Sequence, residues 1–312
     1  MHYLGEIISL LVAVLWTATA LFADQASHRI GAMSTNFYRM VFSGILLAVL
    51  LWIVIGHPYP AFADGKTWLW MGLSALVGYV FGDFCLFNSY LVIGARFGQL
   101  FMTLAPPFAA IAGWALLGET LSWKSWLAMA VTLTGIAISI LSRSGEDHHL
   151  SLKLPVKGVL LGIGAGLGQG VGLVLSKIGM QHYAAALPAD APAAFDWAMP
   201  FASTMIRSLT GMVGFFVLMA LMRKLPELRA ALKNRAGMKF TGLTTLFGPF
   251  MGVSLSLMAV QYARAGIAST LMALTPVLIL FPYALIYKQK ITPKEILGVV
   301  VSMTGVALFF LL

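Results

Sequence analysis

The chain has 312 residues, of which 60% are hydrophobic and 10% charged, and a formal net charge of +9 at pH 7. Soluble domains carry about 25% charged residues, so this composition excludes a water-soluble globular protein and predicts an all-α polytopic membrane protein. The basic residues sit in loops beside apolar runs, where lipid headgroups rather than nucleic acid are the expected partners.

A bilayer core about 30 Å thick takes roughly 20 apolar residues per helix. Ten runs of about that length follow one another: 4–24, 32–55, 67–91, 97–118, 122–142, 157–177, 200–222, 240–262, 266–287 and 294–312. The first is too long for a signal-peptide core and lacks a basic start, so it is expected to stay in the protein. It carries Trp16, and the second carries Arg39 near one end. The third holds Tyr79, Asp83, Cys85, Phe87 and Asn88. Ionisable groups deep in a span are costly and face a cavity or a partner. Asp83 therefore reads either as half of a structural ion pair or as a group that could bind a substrate cation or carry a proton. Cys85 is the single cysteine, which rules out an intrachain disulfide and leaves a small packing residue.

The fourth span carries Gln99 and Pro106 and ends at Glu119. A proline inside a helix leaves the carbonyl four residues back, here Met102, without its hydrogen bond. A bend is expected there, either static or a hinge for access. Glu119 reads as a headgroup-level residue near Lys124. The polar stretch 143–156 is a linker whose cluster Glu146, Asp147, His148 and His149 reads as solvated rather than as a metal site, since nothing holds such ligands in place. All six histidines lie in loops or termini, which excludes an intramembrane histidine relay.

The sixth span carries seven glycines between Gly158 and Gly172 in a spacing that is not a dinucleotide fingerprint. Gly158, Gly162, Gly166 and Gly170 share one helix face, either for close packing or as a cavity wall that leaves Gln169 as a polar contact. Arg207 in the seventh span reads, like Arg39, as an ion-pair member or as snorkelling to headgroups. The ninth span holds Pro276.

The chain is written twice. A shift of 170 residues pairs Gly78 with Gly248, Gly82 with Gly252, Met102 with Met272, Pro106 with Pro276, Lys124 with Lys294 and Thr134-Gly135 with Thr304-Gly305. Shifts of 153 and 168 pair Trp16 with Gln169, Asp24 with Lys177, and Arg39 with Arg207. Two halves of five spans follow, 1–142 and 157–312. An odd number of spans per half forces the second to sit inverted, an arrangement that places substrate sites at the interface of the repeats.

The run IGARFGQLFMTLAPPFAAIAGWALLGETLSWKSWLAMAVTLTGIAIS resembles the signature of the drug/metabolite transporter superfamily, EamA branch. It shares the Gly-Ala-Arg opening, the mid-helix proline, the Leu-Gly-Glu exit and the Thr-Gly of the following helix. Trp16-Thr17 is similar to that family's first-helix Trp-Gly, with Thr17 where glycine is usual, and Tyr38-Arg39 to its second-helix arginine. Gln289 stands where the first copy has Glu119, so an acidic role does not carry over to both halves. The resemblance implies ten helices around a central cavity and alternating access for small organic solutes.

The expected function is thus a secondary transporter exporting a small organic metabolite across the inner membrane as a monomer, without metal or cofactor. Candidate cavity residues are Trp16, Tyr79, Asp83, Phe87, Asn88, Gln99 and Gln169, whose rings form either a partly aromatic pocket or ordinary packing. Pro106 and Pro276 are candidate hinges, and Arg39, Arg207 and Glu119 candidate structural polar groups. A lipid-acting enzyme is disfavoured because no HExxH, Ser/His/Asp set or cluster of membrane-facing carboxylates is present. A membrane scaffold needs no doubled, proline-broken helices.

Fourteen of the twenty Lys and Arg residues lie in loops after odd-numbered spans. By the positive-inside rule that side is cytoplasmic and both termini are outside, whereas members of the resembled family are commonly drawn with their termini inside.

Overall fold

The structure, a computed structural model, describes residues 3–142, 155–189, 191–278, 282 and 292–311, and the described regular elements are all helical. Most of the expected linker, with its Glu146 to His149 cluster, lies outside the described residues, as does Gln289. Helices α1 (Leu4–Ile30) and α2 (Ala32–Ile55) are separated by Gly31 alone, whose φ of 80° suits glycine. Asp64 caps α3 (Gly65–Ala75) by accepting the Thr67 N–H at 2.8 Å and the Thr67 hydroxyl at 2.7 Å. Those two bonds hold the Asp64 carboxyl below its ordinary range. From α3 the chain passes through a π-helical segment, Leu76–Asp83, into α4 (Phe84–Met102), followed by α5 (Ala105–Leu117) and α6 (Trp123–Ser142).

The second half repeats the order. Helices α7 (Val156–Ala186) and α8 (Phe195–Leu221) lead through the short α9 (Leu225–Lys233) to α10 (Arg235–Thr245). A second π-helical segment, Leu246–Val253, joins α10 to α11 (Ser254–Tyr262), and α12 (Ala265–Met272), α13 (Thr275–Leu278) and α14 (Pro293–Leu311) follow. Among the described residues eight helical stretches are long and apolar enough to cross a membrane.

Three local expectations change. Helices α1 and α7 run on to Ile30 and Ala186, past the ends of their apolar runs, because polar residues at a helix end keep their helical propensity when headgroups or partners receive them. The expected break between the third and fourth spans, at 91–97, is absent, and α4 is continuous through it; no proline interrupts this stretch. Neither Pro106 nor Pro276 lies inside a continuous helix. The fourth span breaks at Thr103-Leu104, so Pro106 falls in the first turn of α5, where its missing N–H would have had no intrahelical partner. Pro276 likewise stands at the start of α13, after a break at Ala273-Leu274.

Glycine sets how closely the helices approach. The stripe Gly158, Gly162, Gly166 and Gly170 of α7 lies against Ile93, Phe101, Leu104 and Ala105. A second stripe, Gly164, Gly168 and Gly172, lies against Cys85, Gly82 and Gly78 of the third span. Helices α6 and α14 meet backbone to backbone, Gly135 on Ser302 and Gly305 on Thr132. Since Ser302 is the repeat partner of Thr132, this is one contact made twice, and any side chain at either glycine would overlap the facing helix.

Candidate functional site

The two π-helical segments face each other's repeat. A π turn brings the carbonyl five residues back beneath the backbone. A Cβ on Gly82 would lie 3.3 Å from the Val77 oxygen, and one on Gly252 would lie 2.6 Å from that of Phe247. Each segment is also packed by the opposite half's first and second spans. Gln169 lies on Gly82 and Arg207 on Gly78, whereas Trp16 lies on Gly252 and Arg39 on Gly248. These are the pairs that the internal repeat superposes, so each repeat makes equivalent contacts on the other.

Between them is a cavity of ≈ 280 Å³. Much of its lining comes in repeat-related pairs: Trp16 with Gln169, Arg39 with Arg207, Asp83 with Val253, Leu86 with Ser256, Met102 with Met272, and Pro106 with Pro276. Tyr79, Thr19, Thr103, Ser269 and Thr275 add a ring and hydroxyls. The break in each fourth span therefore sits at the cavity wall.

The polar groups form one network. Gln169 donates through Nε2 to Asp83 Oδ1 at 2.9 Å and to the Gly78 carbonyl at 3.1 Å. The second bond draws on a backbone group at the start of the π turn. Arg207, 4% exposed, stacks its guanidinium over the Tyr79 ring at 4.5 Å, a cation–π contact. Arg39 donates through Nη1 to Asn36 Oδ1 at 2.8 Å. Among the described residues the Nε atoms of both arginines and the Tyr79 hydroxyl are buried without a hydrogen-bond partner. Both guanidiniums act on the Asp83 carboxylate through space, and neither closes an ion pair with it among the described residues.

Of the residues singled out in the sequence, Trp16, Arg39, Tyr79, Asp83, Pro106, Gln169, Arg207 and Pro276 line this cavity. Asn88 is not among the lining and donates to the Phe84 carbonyl of its own helix at 2.8 Å. The side chains of Phe87 and Gln99 lie outside the described residues. Glu119 is away from the cavity and does not pair with Lys124. A left-handed Gly118 closes α5 with the Glu119 N–H on the Gly113 carbonyl and the Gly118 N–H on that of Trp114, the Schellman arrangement. It folds Glu119 back to Lys177, Oε1 to Nζ at 2.6 Å, while Oε2 accepts the Ala265 N–H at 2.9 Å. Lys177 also donates to the Ala263 carbonyl at 2.8 Å. This clamp holds α5, α7 and the break between α11 and α12 at one end of the molecule. The sequence signal for it was the repeat pairing of Lys177 with Asp24, which marks the position as more than a loop cation. The lining hydroxyls gave no signal, since lone Ser and Thr in apolar spans mostly bond their own helix.

The sequence matches the profile described as the EamA-like transporter family over residues 3–141 and again over 156–311. Among curated proteins no relative matches the chain. A protein of known crystal structure is similar over 100% of this chain and 98% of its own, with a TM-score of 0.71 at 16% sequence identity, which shows a shared fold.

Proposed function

The chain belongs to the EamA-like transporter family, and from that premise we propose that it is a secondary transporter that exports a small organic solute through the central cavity by alternating access. In this reading ten spans, the eight long apolar stretches plus Trp123–Ser142 and the span begun by Ala265–Leu278, form two inverted repeats of five in the inner membrane. The division falls at the linker 143–156, and substrate contacts fall to Trp16, Tyr79, Asp83 and Gln169.

The observation that carries the reading is the position of the cavity, between segments that each pack against the other repeat. A rocking of one repeat against the other would exchange equivalent contacts and open the same cavity to either side, as inverted-repeat transporters do. The broken fourth spans place a turn where such motion needs one. Pro106 and Pro276 would fix where each turn begins.

Flux of a panel of labelled metabolites in proteoliposomes, with and without a pH gradient, tests this. Saturable movement of at least one solute is expected, and its response to the gradient decides whether protons are coupled. A product formed from bilayer lipid without any solute flux would replace transport by a lipid-acting enzyme.

A further inference from the structure

We propose, resting on the reading of the cavity as the transport site, that the solute is a small organic monoanion whose carboxylate docks between Arg39 and Arg207, one arginine from each repeat. Among the described residues the cavity is lined by two guanidiniums and one carboxylate, so with Asp83 ionised these three groups carry one net positive charge. An uncompensated charge in a low-dielectric enclosure is expensive, and a bound monoanion brings the balance to zero. A zwitterion leaves it at +1, a dianion takes it to −1 and a cation raises it to +2.

Hydrogen bonding points the same way. Arg207 is 4% exposed and Tyr79 6% exposed, and the Arg207 Nε and the Tyr79 hydroxyl both lack a partner. Buried polar groups without partners are uncommon and ask for an explanation, and here both are groups that can donate to an incoming acceptor. Asp83 Oδ1 is already occupied by Gln169, so its capacity to take a substrate ammonium is reduced. Arginine presents a planar fork that matches a carboxylate, and both forks stand close to glycine, Gly78 and Gly248, where no Cβ blocks the approach.

The rest of the solute would meet Trp16, Met102, Leu173 and Met272, a wall suited to a flat apolar body. The volume of ≈ 280 Å³ equals the liquid share of about nine water molecules. One ring and one carboxylate fill that space.

The test uses the full-length protein and four probes of one shape: phenylacetate, 2-phenylethylamine, phenylalanine and phenyl phosphate. Binding is read by titration calorimetry in detergent, because the amine and the protonated acid leak through bilayers. Phenylacetate is expected to bind best. Arg207→Gln should weaken it about 30-fold or more, the loss typical of a buried charge left without its partner, and Arg207→Lys should fall between native and Gln, which separates lost charge from lost folding. Asp83→Asn should bind phenylacetate more tightly than native, since it removes the opposing charge. Preference for the amine, the amino acid or the phosphate ester would overturn the proposal, as would loss of phenylacetate binding in Asp83→Asn. If none of the four binds while another metabolite is transported, the monoanion assignment fails and the transporter reading stands. If no solute of the wider panel crosses, the transporter reading itself fails.

Discussion

The segments Leu76–Asp83 and Leu246–Val253 occupy the same place in the two repeats, share the π-helical turn and share two glycines, Gly78 with Gly248 and Gly82 with Gly252. Each receives an arginine and a second large side chain from the other half. The chemistry they carry differs. The first ends on Asp83 and presents Tyr79, and the second ends on Val253 and has Pro249 in the equivalent place. Trp16 and Gln169, one aromatic and one an amide, fill the matching positions opposite them. The two segments share their backbone geometry and their close glycine packing, which is tightest at Gly252, whereas the cavity-facing positions differ and are acidic on one side only.

The largest effect should come from removing that one-sided acid. Protonation of Asp83 changes the cavity charge from +1 to +2, with Arg39, Arg207 and Tyr79 as its neighbours, so transport of an anion should rise as pH falls through the Asp83 titration. Asp83→Asn should flatten the pH profile of flux in proteoliposomes, and Val253→Asn, its counterpart, should leave the profile intact. A sloping profile in Asp83→Asn would mean that the titrating group lies elsewhere.

The clamp between Glu119 and Lys177 provides the next effect. Both side chains are about 15% exposed, at 15% and 14% respectively, and Glu119→Gln removes one charge of a mostly buried pair. A loss of about 2 kcal/mol is expected, visible as a lowered thermal midpoint in detergent, while Lys124→Gln should change almost nothing. Equal losses in the two variants would return Glu119 to its sequence-based partner.

A third test sharpens the glycine comparison. An added Cβ at Gly252 would press on Trp16 at 2.8 Å and on the Phe247 carbonyl at 2.6 Å, whereas at Gly82 the nearest atom is 3.3 Å away. Gly252→Ala should therefore destabilise by about 1–3 kcal/mol, the range for overpacking. Gly82→Ala should come out near neutral, because the helical gain of about 1 kcal/mol over glycine offsets the strain. Unfolding midpoints of the two variants measure the difference, and a larger cost at Gly82 would refute the packing account.

The smallest stability effect belongs to the prolines. In the first turn of a helical segment Pro→Ala restores no hydrogen bond, so Pro106→Ala and Pro276→Ala should each cost about 1 kcal/mol or less, and both should slow flux by loosening where the turn begins. Unequal flux would show that the two broken spans have diverged in function as the π segments have in chemistry.

Much of this was legible in the sequence because membrane spans make certain residues costly. Trp16 against Gln169, Arg39 against Arg207 and the two prolines stand out in an apolar background, and the repeat ties them together. The π turns were not legible, since eight residues at a changed periodicity do not disturb an apolar pattern that runs straight through them. The clamp was hidden because its partners lie far apart in the chain and Lys177 coincides with the end of an apolar run, although the helix continues to Ala186. The break at Thr103-Leu104 escaped notice for a different reason: proline is compatible both with a kinked helix and with the first turn of a new one, and only the backbone tells them apart.

Cys85 takes on a use beyond packing. It is the single thiol of the chain, it is buried, and a Cβ on Gly164 of α7 would stand 3.1 Å from its sulfur. The native protein thus carries a built-in reporter: a maleimide is expected to reach Cys85 only when the packing of the third span against α7 opens. Timing that reaction with and without solute, in unmodified protein, shows whether solute changes how readily this interface opens.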